Sequence, residues 1–233
     1  MKLLPHIRQV VATFPEVRTY LSGRSRWSLY KPTEYKTVEY MENAIEGLVN
    51  GVYNGNIGGQ FIDTMANIIS GQLTQAYRQA WEDEGMTDYF APDYLSESLE
   101  AMILNQYDYV DQFYRDIVDA RVDGTSVSPL LARAKLWANQ WNAAYNEAVR
   151  LITLQGGGNL VWEEGDTMDK CGVCVGLDGL VMSAREWELL GMKPQSESLP
   201  CHGFNCHCSL TPTDKRRSPN AYGRAEEIIL INH

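Results

Sequence analysis

The chain has 233 residues, 44% of them hydrophobic, and a formal net charge of −10, which is enough for one ordinary domain plus a small module. It holds no run of about 18 apolar residues, so neither a membrane span nor a membrane partner is expected. The acidic balance disfavours nonspecific binding to nucleic-acid phosphates.

The N-terminal stretch MKLLPHIRQVVATFPEV lacks a continuous apolar segment and a small-residue cleavage site. No signal peptide is read there, and folding in a reducing cytoplasm is expected. The first 30 residues carry five Lys/Arg against Glu16, a net of +4. Residues 1–32 therefore read as a basic arm, which either contacts nucleic acid or an acidic partner or is simply solvated.

Residues 33–155 read as a helical body. KPTEYKTVEYMENAIEGLVNGVYNG is a first helix closed by glycines. In GGQFIDTMANIISGQLTQAYRQAWEDEG, Phe61, Met65, Ile68, Ile69, Leu73, Ala76 and Ala80 recur at three and four, and Gly85 stops the pattern. PDYLSESLEAMILNQYDYVDQFYRDIVDARVDG begins with Pro92 in its first turn. Leu95, Leu99, Met102, Ile103, Val110, Phe113 and Ile117 share one face there, and the acids lie mostly off it. From Trp81 to Asp123 twelve Asp/Glu stand against Arg115 and Arg121, a net of −10. In TSVSPLLARAKLWANQWNAAYNEAVRLITLQGGG, Ser128 reads as the N-cap with Pro129 in the first helical position. Its stripe is Ala134, Ala138, Trp141, Tyr145, Ala148 and Ile152. Short loops between four such helices imply antiparallel, bundle-like neighbours. Aromatic stripes at this spacing are core, and no catalytic residue is assigned to them.

After Gly156-Gly157-Gly158 the pattern changes, and residues 156–213 read as a small α+β module. NLVWEE is a strand. CVGLDGLVM is apolar on both sides of Asp178-Gly179, a hairpin signal. Ser183 with Glu186 forms a capping box, and Gly191 closes the short helix that follows. CSLTP is a last strand, and residues 214–233 read as a tail. So few apolar residues call for a staple.

The cysteines supply one. All five lie between Cys171 and Cys208, a window of 38 residues, together with His202 and His207. An odd, tightly spaced set favours a metal over a disulfide framework. Zinc takes about four sulfur or nitrogen ligands, and Cys-x2-Cys at a turn aims two sulfurs at one point. A lone pair of this kind is weak evidence; with a second Cys/His cluster about 30 residues on, it is strong. One structural zinc is expected. In an extended segment residues alternate sides, so Cys206 and Cys208 share a face while His207 points away. Cys171, Cys174 and Cys206 are the leading ligands. Cys208 and Cys201 compete for the fourth place, with His202 behind them.

At these residues the chain resembles a known family. The pattern W-x(8)-C-x2-C-x2-LDG-x-V, followed by CHGFNCHCSLTP, is similar to the C-terminal signature of phage head morphogenesis proteins, the Mu F-like minor head proteins. Trp162, Cys171, Cys174, Leu177, Gly179, His202, Cys206, Cys208, Leu210 and Pro212 match it. A looser likeness extends from Thr33 to Thr213. The chain departs from the family in three ways: three residues rather than two separate His202 from Cys206, His207 stands where arginine is usual, and Cys201 is extra. The resemblance implies a virion protein of the phage head, made in the bacterial host cytoplasm. It further implies assembly with portal or major capsid protein and no small-molecule substrate; packaged DNA would meet the basic arm.

Two alternatives stand beside this expectation. A zinc-containing nuclease would use His202, Asn205 and His207, but such enzymes spread these groups over a strand–loop–helix unit of about 20 to 30 residues, and here they fall within six. No deaminase, nucleophile-elbow, P-loop or dinucleotide-binding pattern appears. A zinc-ribbon module binding nucleic acid or protein would use Lys215, Arg216, Arg217 and Arg224. Four such charges are more often a solvated face.

Overall fold

Each of the four expected helices forms. A computed structural model describes residues 38–86, 92–166, 170–196, 198–203 and 206–232, so the basic arm over residues 1–32 lies outside the described residues. The helices are α1 (Val38–Tyr53), α2 (Gln60–Asp83), α3 (Asp93–Asp123) and α4 (Ser128–Gly156). Among the described residues the protein is mainly helical, 68% helix against 7% strand, and none of their helices is long and apolar enough to cross a membrane. By packing, the chain divides into two units. The first holds the described residues up to Arg78 and those from 92 to Ala138; the second holds Gln79–Met86 and the described residues from Asn139. The sequence placed this boundary at residue 155; packing places it inside α4.

In the first unit the expected stripes are the core. Phe61, Met65, Ile69, Leu73 and Ala76 are buried on α2, and Leu95, Leu99, Ile103, Val110, Phe113 and Ile117 on α3. Phe113 links three helices: its ring lies 6.1 Å from Phe61 and 4.5 Å from Trp137, centroid to centroid. The Arg133 guanidinium covers the ring at 4.8 Å and pairs with Asp116, so the charge sits over the negative ring face without being stranded. Gly124 ends α3 in the left-handed conformation, φ 66°, as a glycine after the last helical residue allows. The acids of α3 lie mostly off the buried face, as the pattern predicts. Ser128 is not the N-cap. Its amide donates to the Ser126 hydroxyl at 3.2 Å, and the Val127 carbonyl accepts the first helical bonds, from Leu130 and Leu131. Pro129 has no N–H to lose there, so the helix starts one residue earlier.

The second unit is built on a three-stranded antiparallel sheet in the order β2-β1-β3. Its strands are β1 (Asn159–Glu163), β2 (Val181–Ser183) and β3 (Ser209–Thr213). Three short helices accompany it: α5 (Gly172–Leu177), α6 (Ala184–Leu190) and α7 (Ala221–Asn232). Central β1 carries the register, with Leu160 opposite Met182 and Pro212, and Trp162 opposite Leu210. Trp162 and Trp187 pack with centroids 5.5 Å apart, and the Trp187 indole N–H donates to the Leu160 carbonyl at 3.1 Å. That bond lets a large polar-tipped ring fill the core without an orphaned donor. Ser183 and Glu186 form the predicted capping box, and Gly191 closes α6 at φ 66°.

Two expectations change here. Asp178-Gly179 does not join two strands. The residues before it form α5, and Gly179, at φ 70°, turns the chain into β2 while its N–H donates to the Trp162 carbonyl at 2.9 Å. The predicted tail contains α7, whose Ala221 and Ala225 are buried in the same core, with Ile228 packed against it. Gly176 lets that helix approach: a Cβ there would lie 2.6 Å from Ile228 Cγ2.

Arg150 explains why the end of α4 belongs to this unit. Its side chain is 4% exposed and pairs with Glu147 and Glu188, while Lys193 reaches Glu147 at 3.2 Å. Burial pushes the Glu147 carboxyl up, but hydrogen bonds and charge from Arg150, helped by Lys193, hold it below the usual range. A depressed folded-state value gives stability that is present above the unfolded value and lost as pH falls through the folded one. Glu147→Gln should therefore cost on the order of 3 kcal/mol near neutral pH, because it strips a buried guanidinium of its main partner. The difference from wild type in urea unfolding should shrink below about pH 4.

Candidate metal centre

Three separate segments deliver the sulfurs. Cys171 is the N-cap of α5, and its Sγ accepts from the Cys174 amide at 3.3 Å. That bond closes the Cys-x2-Cys turn and brings the two sulfurs to 2.9 Å. Cys201 opens a turn in which the Gly203 N–H donates to its Sγ. Gly203 holds φ 72° directly against the backbone of Gln195, where any Cβ would collide with the Gln195 carbonyl. Cys206 and Cys208 precede β3. They alternate as expected of extended chain: both are buried and His207 between them is exposed.

The five sulfurs fall into two groups, Cys171/Cys174/Cys201 and Cys174/Cys206/Cys208, each with its sulfurs within 4.8 Å of one another. Cys174 belongs to both. None of the five is in a disulfide. Cys174, Cys206 and Cys208 are 3%, 8% and 6% exposed and form part of the unit's apolar core, whereas Cys171 and Cys201 are half-buried at its margin. A tetrahedral ion with metal–sulfur bonds of about 2.3 Å needs sulfurs about 3.8 Å apart, within the span of these groups. The cysteine groups therefore lie close enough to hold a metal ion, and the donor set is soft throughout.

Electrostatics prepare unequal sulfurs. Hydrogen bonds with Cys206 and Cys208, then burial, push the Cys174 thiol up. Hydrogen bonds from Cys174 and Cys206 pull Cys208 down to about 3, and the Gly165 N–H adds to them. Burial raises Cys201 against the opposing pull of the Gly203 N–H.

All five candidate cysteines are brought together. His202 is exposed, in the left-handed conformation at φ 49°, and belongs to neither group. The sequence reading missed two glycines. Gly165 lies so close to His207 that a Cβ would overlap its backbone, and its N–H supports Cys208; Gly203 fixes the Cys201 turn. Each is a glycine near a cysteine segment, a signal visible in EEGDTM and CHGFN but silent about what it faces. Comparison with known proteins finds no matching family model, no matching curated protein and no matching solved structure.

Gly165→Ala should drive the 206–208 segment off the cluster at a cost of about 1–3 kcal/mol, the usual price of overpacking. In a chelator competition the variant should release metal more readily than wild type while keeping its helical circular dichroism; equal retention would contradict the close approach. Cys174→Ser and Cys206→Ser should each abolish metal retention.

Proposed function

We propose that this chain is a phage virion structural protein, a minor head protein acting in head assembly at the portal or capsid, with one structural zinc in its C-terminal unit. One observation carries the reading. Apart from His202, which is exposed and in neither cysteine group, the residues of the minor-head-protein signature build the cysteine cluster and its surroundings. Trp162, Leu177 and Leu210 are buried with the cysteines in one core, Gly179 makes the turn at φ 70°, and Pro212 stands opposite Leu160. The residues that carry the resemblance thus lie together in one folding unit, which supports the reading. Zinc suits the donors: it is a d10 ion that accepts four thiolates tetrahedrally and needs no redox partner. Four thiolates leave it no open position for water, so the unit's role is to present a surface. The helical region supplies the body, and the net-acidic 81–123 stretch disfavours contact with packaged DNA.

Metal analysis of protein purified without chelator should find about one zinc equivalent, and removing it should unfold the C-terminal unit, since such sites contribute on the order of 10 kcal/mol. Co-expressed with portal and capsid proteins of its own genome, wild type should enter particles. Cys206→Ala should keep its helices and stay out of them; normal incorporation of a metal-free variant would remove the zinc unit from assembly. A nuclease, by contrast, would depend on His207, which is exposed, and on Asn205, which lies outside the described residues. Purified protein incubated with plasmid and magnesium or manganese should leave it intact. Metal-dependent nicking that disappears in both Asn205→Ala and His207→Ala would replace the assembly reading with an enzymatic one.

A further inference from the structure

We infer that the metal centre has three fixed ligands, Cys174, Cys206 and Cys208, and a fourth position that Cys171 and Cys201 fill interchangeably. The inference rests on the metal reading above and goes beyond it in assigning the sulfurs. The five sulfurs form two groups of three that share Cys174, and a tetrahedral ion takes four ligands, so an ion bound to the buried group draws one more sulfur from the other. The three core sulfurs are each more than nine-tenths buried and lie within 4.8 Å of one another. Any four-sulfur set that uses this buried group must take its last member from Cys171 or Cys201. Both lie within 4.8 Å of Cys174 and of each other, and both are half-buried.

The two are also prepared alike. Each sulfur accepts a backbone N–H from its own turn, Cys171 from Cys174 and Cys201 from Gly203. Neither is a stray surface thiol. Cys171 is set by the cap of α5, and Cys201 by a glycine that cannot carry a Cβ against Gln195. An exchange of the fourth ligand then needs no refolding, only the movement of one sulfur into the place the other leaves. The site would keep its ion when either outer thiol is alkylated or oxidised.

The test uses the metal-loaded wild-type chain first. It is treated briefly with a thiol-alkylating reagent under native conditions and mapped by peptide mass spectrometry. About one thiol per chain should react, divided between Cys171 and Cys201, with Cys174, Cys206 and Cys208 protected. Label confined to Cys201, or confined to Cys171, would make the other a fixed ligand and overturn the exchange. Single and double variants follow in a competition with a colorimetric zinc chelator. Cys171→Ser and Cys201→Ser should each retain one equivalent, with affinity lowered only about twofold, because the remaining outer sulfur fills the fourth position. The double variant should retain none. A single variant as empty as Cys174→Ser, or wild type binding two equivalents, would overturn the inference while leaving the metal reading intact. Wild type that retains no metal at all would overturn both.

Discussion

The second unit depends on the convergence of five sulfurs around Cys174. Two regions distant in sequence meet there: the turn before α5, and the 201–208 stretch with its turn at Cys201 to Gly203 and its extended approach to β3. Their meeting sets the other features of the unit. Gly165 has to be a glycine because the 206–208 segment crosses against it, and Gly203 because its turn lies on Gln195. The cysteines are not decoration on an otherwise complete core, since Cys174, Cys206 and Cys208 are themselves part of it, beside Trp162, Leu177 and Leu210.

The two units solve the stability problem differently. The first spreads burial over long helices, with an aromatic cluster centred on Phe113 and a guanidinium laid over its ring. Burial of this kind grows with helix length and needs no special ligand. The second has strands of three to five residues and helices of six to twelve in its C-terminal part. Elements this short bury little each. Paired tryptophans, a capping box and the Arg150 network supplement the cysteine cluster. Arg150 also ties α4 to α6 through Glu188, which is why the end of a long helix packs with the small sheet.

A closed thiolate site and an open catalytic one make opposite demands. Catalysis needs a position for water or substrate at the ion, whereas a structural role needs every position filled by the protein. Five sulfurs exceed even the second demand. If either outer thiol can complete the site, as inferred above, the half-buried placement of Cys171 and Cys201 would put that tolerance at the margin of the core.

The sequence alone determined the features that depend on local periodicity and on short-range chemistry. Helices α1 to α4, the buried faces of α2 and α3, the β1 and β3 strands, the Ser183–Glu186 box and the Gly191 stop were all legible, because each is dictated by residues within a few positions of one another. The alternation of Cys206, His207 and Cys208 was legible for the same reason. Tertiary structure decided the rest. Cys-x2-Cys could mark a hairpin or a helical turn, and only the packing of Gly176 against Ile228 and the bond from Gly179 to Trp162 settled it as a helix followed by a turn. Residues 221–232 carry too weak an apolar pattern to identify a docked helix until Ala221 and Ala225 are seen in the core. Which sulfurs are buried together is likewise a distance between segments more than 25 residues apart in sequence. Spacing can bring such residues under suspicion, but only the folded chain brings their sulfurs within 4.8 Å.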